Sequence, residues 1–315
     1  MDADAEADDV SADWDAARDG EAVRATIALV ISLLPDTLAR VSAATRTSSP
    51  VSDFFVREAV IGSSLIETLS SSVRALSTAL DAHGGAPLPI ELRALARSLA
   101  RDDTPLAWSA IWPAGPSEAG ARSWLRAALP RASASVSRKN DAYSAVRLSS
   151  LFAPAAFFVA LRCAAARMLA AAGVERAALH ELQLVTSWGN SSVSDGAPAN
   201  LPQSILSRCK GAVMTAVIEG VVLAGGAWDV TRSMLTEPFA DSSDTAALPR
   251  VMIAWVPSDA PPVAAGHSLS LPLFVRADRA VHLSDLTVKA APIPGANADE
   301  VYSRWIMNGA CLLGE

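Results

Sequence analysis

Few residues in this chain have both the type and the spacing that chemistry requires. Gly266-His267-Ser268-Leu269-Ser270 sets a serine beside a histidine in a run like G-x-S-x-G. In that elbow a strained strand-to-helix turn exposes a nucleophilic hydroxyl. Here Ser270 stands where the closing glycine belongs, and Pro272 lies in a strand-like stretch where a helix should follow. A phosphate cradle needs G-x-x-x-x-G-K-[ST], whose backbone amides and lysine meet the phosphates. The only lysines are Lys139, Lys210 and Lys289, none in such a loop, and Gly225-Gly226 runs into Ala227 and Trp228. That glycine pair reads as a bulge or tight turn. His83, His180, His267 and His282 lack the i, i+3 or i+4 spacing that puts two metal ligands on one helical face, and no Cys pairs with them. Asp102-Asp103 reads as a cap for whatever follows. The expectation is a chain with no catalytic, cofactor-binding or metal-binding residues and no enzymatic activity of its own.

Charge narrows the partners. Residues 1–20 hold eight acidic side chains against Arg18, which accounts for the whole net charge of −7 over 315 residues. The rest of the chain is neutral and lacks the clustered basic surface of a nucleic-acid binder. The acidic start reads as a disordered solubilising tail or a short docking segment. Cys163, Cys209 and Cys311 stand far apart, an odd number without C-x-x-C spacing, which suits free thiols in a reducing, cytoplasmic setting. The apolar run IALVISLL (27–34) stops at Pro35 and is shorter than the roughly 20 residues of a membrane span, so no membrane partner is expected.

Helical periodicity governs the first part of the chain. A helix is predicted over 21–45, interrupted at Pro35. Another is predicted over 53–80 with Asp53 as N-cap and Phe55, Ala59, Gly62, Ile66, Leu69, Val73, Leu76 and Leu80 on one stripe. Further helices are predicted at 90–101, at 117–143 with Pro130 bending or dividing it, and from Pro154 through Met168 with Gly173 just beyond its end. From about residue 180 the pattern changes to short Val-, Ile-, Leu- and Trp-rich runs at 182–188, 212–223, 251–257, 268–276, 283–290 and 304–313. Six strands without intervening helices predict an antiparallel sheet that curls or closes as a barrel, in an α+β chain with a helical bundle first. The division expected is an acidic tail (1–20), a helical segment (21–47), a helical part (48–180) and a β part (181–315). Trp108, Trp112, Trp124, Trp188, Trp228, Trp255 and Trp305 fall at element ends or in strands, as core packing or, where exposed, as a docking surface.

Seven segments in order resemble the C-terminal region of dynein heavy chains, over roughly residues 48–315. SSPVSDFFVREAVIGSSLIETL opens a long helix as that family does. Pro105, Trp108, Trp112, Trp124 and Leu125 match its Pro-x-x-Trp, Trp and Trp-Leu landmarks. Leu151, Phe152, Pro154, Phe157, Ala160, Leu161, Arg162, Ala166 and Arg167 match its Leu-Phe-x-Pro helix. IEGVVLAGGAWD (218–229), VMIAWVP (251–257), LSLPLFVRADRA (269–280) and RWIMNGACLLGE (304–315) follow in the family's order. Cys163, Ala224 and Phe274 depart from its usual Gln, Glu and Tyr. SLPLFV and VTSWGN look closest to the cytoplasmic dynein class of retrograde intraflagellar transport.

The resemblance implies a domain docked on the AAA+ ring of a dynein heavy chain, modulating ATP-driven, minus-end-directed motility. ATP and Mg would belong to the AAA+ modules, not to this chain. Other dynein subunits would be partners, and microtubules only indirectly. The location implied is the cytoplasm, with cytoskeleton, cilium or flagellum. Arg162 and Arg167 are candidate ring contacts, or plain surface residues. The alternative is a free-standing β-barrel binding module.

Overall fold

The computed structural model describes residues 18–34, 49–83, 88–113, 118–138, 145–189, 201–237, 245–260, 268–291 and 298–314. The chain divides into two compact units, one of residues 1–44 and 56–138, the other of residues 45–55 and 139–315. Residues 1–17 of the expected acidic tail, residues 35–48, Gly84-Gly85 and His267 lie outside the described residues, while residues 18–20 of that tail belong to the first helix.

The first unit is helical. It holds α1 (Arg18–Leu33), most of α2 (Pro50–His83), α3 (Ile90–Ala100), the single turn α4 (Leu106–Ser109) and α5 (Ala121–Ser137). Val23, Ile27 and Val30 bury one face of α1, which packs on α3 and α5. The predicted stripe of α2 is the buried one: Leu69 and Leu76 are fully covered, Ile66 and Val73 nearly so, and only Leu80 is half-exposed. The helix starts before Asp53, whose amide already donates to the Ser49 carbonyl at 3.0 Å, so Asp53 lies in the first turn and is not the N-cap. Gly62 allows α2 and α5 to meet closely, since a Cβ there would lie 2.9 Å from the Ala132 carbonyl oxygen. Pro130 does not divide α5. It offers no N–H to the turn before it, and one residue on Arg131 donates to the Ala127 carbonyl at 2.7 Å. Asp102 caps α5 rather than the helix next in sequence, accepting the Ala121 amide on its carbonyl (2.6 Å) and the Arg122 amide on Oδ1 (3.0 Å).

The second unit opens with the first turn of α2, whose Val51, Phe54 and Phe55 are buried. Then come β1 (Val146–Arg147), α6 (Pro154–Ala171), β2 (Leu182–Trp188), α7 (Gln203–Arg208), β3 (Thr215–Glu219), β4 (Val221–Ala224), β5 (Ala227–Asp229), β6 (Met234–Thr236), β7 (Thr245–Ala247), β8 (Val251–Pro257), β9 (Ser268–Phe274), β10 (His282–Lys289), α8 (Ala298–Met307) and β11 (Cys311–Gly314). Pro154 takes the first turn of α6, and Gly173 (φ +66°) ends it with paired bonds from Val174 N–H to the Leu169 carbonyl and from Gly173 N–H to the Ala170 carbonyl. That closure suits a glycine after a helix.

The six-stranded antiparallel barrel is overturned. Among the described residues the strands form a four-stranded sheet (β1-β3-β8-β2), a five-stranded sheet (β10-β9-β11-β4-β7) and the β5–β6 pair, and these do not close. Two neighbours are parallel, β1 with β3 and β11 with β9. Two misread segments explain this. The run 212–223 is not one strand: Gly220 (φ +73°) breaks it into β3 and β4, which join different sheets. The run 304–313 is helix through Met307, because Val301 and Trp305, four apart, bury one side of α8. That helix carries the chain back, so β11 enters parallel to β9. One core runs beneath both sheets and holds Ile218, Val251 and Ile253 together with Leu271, Leu273, Leu286 and Leu312, and in it the Phe157 ring packs tilted against Phe54 (5.5 Å) and Phe55 (5.9 Å).

Candidate functional site

The sequence candidates for contact both lie on α6, and the helix separates them. Five residues at 3.6 per turn put Arg162 and Arg167 about 140° apart around the axis. Arg162 is half-buried. Its guanidinium lies 4.8 Å over the Trp255 ring and donates to the Leu182 carbonyl at 3.4 Å, which ties α6 to β2 and β8. A cation stacked on an indole gains from the ring's quadrupole. Arg167 is exposed.

Between the two arginines runs the outward face of α6. Val159 is 62% exposed, Ala155, Ala156 and Ala170 are exposed, and Cys163 and Ala166 are half-exposed. The opposite face carries Phe157, Phe158, Leu161, Ala164, Ala165 and Leu169 into the core. α6 is long and apolar enough to cross a membrane by length and composition alone. Its buried face instead belongs to the packed interior. Sequence reading missed the outward face, although the lack of any charged side chain on α6 except the two arginines marked it.

Among the described residues the tested chemistry is not assembled. Ser268 begins β9, within a strand rather than at a strand-to-helix elbow. His180 sits in a single turn before β2, and His282 lies 2.8 Å from Asp285, both exposed on β10. No group of three or more His, Cys, Asp or Glu able to hold a metal occurs among the described residues. The cysteines are free thiols; burial raises the thiol pKa of Cys209 and Cys311 above the ordinary value. Gly225-Gly226 makes the turn from β4 to β5, with Gly225 against the Asn308–Ala310 backbone. The tryptophans fill each unit separately: Trp108, Trp112 and Trp124 cluster in the first, while Trp188 packs on Trp228 at 5.6 Å in the second.

Over residues 3–314 the sequence matches the family model for the C-terminal domain of dynein heavy chains. The chain belongs to that family. Two relatives share it, each named "Cytoplasmic dynein 2 heavy chain 1". The one from Tripneustes gratilla is 28% identical over 274 residues, covering 84% of this chain and 5% of its own length. The one from Chlamydomonas reinhardtii is 24% identical over 276 residues, covering 84% and 6%. The domain thus corresponds to about a twentieth of those heavy chains. Of the departures from the dynein pattern, Cys163 and Ala224 are half-exposed, and Phe274 meets His282 edge-on at 5.7 Å.

Proposed function

We propose that this domain docks on the AAA+ ring of a dynein heavy chain and modulates ATP-driven, minus-end-directed motility in intraflagellar transport. The observation that carries the reading is the family match across nearly the whole chain, joined by two relatives named as dynein 2 heavy chains. In this reading ATP turnover belongs to the ring, and the domain restrains or couples ring movements. The outward face of α6, with Arg167 at its border, is the candidate contact. Arg162 serves first to hold α6 on β2 and β8. Microtubules are engaged only through the rest of the motor, in the cytoplasm and cilium.

The test begins with the native polypeptide, blotted with an antibody against residues 182–315. A band of several hundred kilodaltons supports the reading. A band at the size of this 315-residue chain overturns it in favour of a free-standing binding module. In the long polypeptide, removing this domain should change ATPase rate, velocity or stall force, and three unchanged values would remove the modulatory role.

A further inference from the structure

Two edge strands from different sheets face each other in the second unit. At the two ends of β2 the Glu181 carbonyl accepts the Ser258 amide at 2.8 Å, and the Gly189 amide donates to the Arg250 carbonyl at 3.3 Å. Odd-numbered residues of β2 therefore turn their backbone groups toward β8, and Leu184, Thr186 and Trp188 turn theirs away. β10, the outer strand of the other sheet, lies beside β2, and no ladder joins the two. A single carbonyl bridges them. The Thr287 oxygen accepts Thr186 Oγ1 at 2.6 Å and Trp188 Nε1 at 2.7 Å, which uses both of its lone pairs.

The place of this bridge in the strand order gives it meaning. One sheet runs β2-β8-β3-β1 and the other β7-β4-β11-β9-β10, while the chain itself passes from β3 to β4 at Gly220. The Thr287 carbonyl thus lies at the end of the series farthest from that covalent corner. We propose that it is a latch: the β2–β10 seam is where the two sheets part, turning about Gly220, and Thr186 and Trp188 hold it shut. Within each sheet a ladder of backbone bonds resists separation. Across the seam two side-chain bonds do so, together with the core beneath and α6, which packs on β8 of one sheet and β10 of the other.

Thiol labelling of the full chain tests this, with Leu286→Cys as the buried probe on β10 and the buried native Cys209 at the end of α7 as the control within the same unit. Removing one such bond should raise the seam-opening equilibrium roughly fivefold, and removing both on the order of 25-fold. Thr186→Val with Trp188→Phe keeps the shapes and removes both donors. The expected result is faster labelling at position 286 by that factor, with labelling of Cys209 unchanged. Thr186→Val alone, with Thr186→Ser as the variant that restores slow labelling, serves if the double variant does not fold. Equal acceleration at both thiols, or unchanged labelling at position 286, overturns the latch.

Discussion

The indole N–H of Trp124 donates to the backbone carbonyl of Trp112 across 3.1 Å, and this bond closes the Trp-rich junction onto α5. Trp124 is fully buried, and Trp108 stacks on it at 6.0 Å and 23°. Arg131 completes the arrangement, 4.8 Å over the Trp112 ring. Trp124→Phe keeps most of the ring and removes the donor, at a cost of about 0.5–1.5 kcal/mol for the lost bond. Trp124→Ala adds a cavity and should cost about 3–5 kcal/mol. Urea unfolding checks both, and an unshifted midpoint for Trp124→Phe would show that the bond contributes nothing.

Gly62 sets the distance between α2 and α5. A Cβ at this position would lie 2.9 Å from the Ala132 oxygen, 3.2 Å from its Cα and 3.3 Å from Val136 Cγ2. Two of those three atoms are backbone, so they yield only if a helix moves. Gly62→Ala gains about 1 kcal/mol of helix propensity and loses more to the overlap. Gly62→Val should lose about 1–3 kcal/mol through overpacking. A thermal midpoint that rises for Gly62→Ala would show that the helices separate freely.

The strands at 182–188 and 251–257 were legible because apolar runs end at a glycine or follow a proline and lie between loop signals. The long helix was legible from one stripe of residues, and only its cap was misplaced. The break at Gly220 carried a faint signal, one glycine in an apolar run, yet it sends the chain into a second sheet. RWIM at 304–307 has strand-like composition, but Val301 and Trp305 share one helical face. Asn308-Gly309 then ends the helix, with Gly309 at φ +71°. Strands of two or three residues, such as Val146–Arg147 and Thr245–Ala247, exist because a partner strand pairs with them. No pattern that short can announce itself. Of the two arginines, only the position of Trp255 reveals that Arg162 serves its own unit.

Acid should weaken the join between α7 and the end of β8. Asp259 receives Arg208 on both oxygens, at 2.7 and 3.1 Å. The hydrogen bond from Arg208 holds the Asp259 carboxyl below its ordinary pKa; burial opposes it, and the charges of Arg208 and Arg176 add to the lowering. A carboxylate with a depressed folded value contributes stability above its unfolded value, near pH 4, and loses it as pH falls through the folded value. The stability difference between wild type and Asp259→Asn should therefore be flat above about pH 5 and shrink on acidification. Denaturant midpoints from pH 2 to 7 report it. A difference that stays constant to pH 2 would mean the ion pair contributes nothing through charge.

Gly225 and Gly309 have almost the same backbone conformation, φ +68° and +71°, so conformation alone predicts equal costs on substitution by alanine. An L-residue in the left-handed region loses roughly 1–2 kcal/mol. Their surroundings differ. A Cβ on Gly309 would come no nearer than 3.7 Å to anything, and that atom is the flexible end of Arg279. A Cβ on Gly225 would lie 2.6 Å from the Asn308 oxygen and 2.8 Å from both Gly309 C and Ala310 N, all backbone atoms of the turn that feeds β11. The turn cannot move without shifting β11, which is hydrogen-bonded to β4 and β9 on its two sides. Gly309→Ala should cost the conformational amount alone, and Gly225→Ala about 1–3 kcal/mol more. Chemical unfolding of the two variants side by side decides the matter: equal losses would mean the close approach of Gly225 to that turn has no energetic weight.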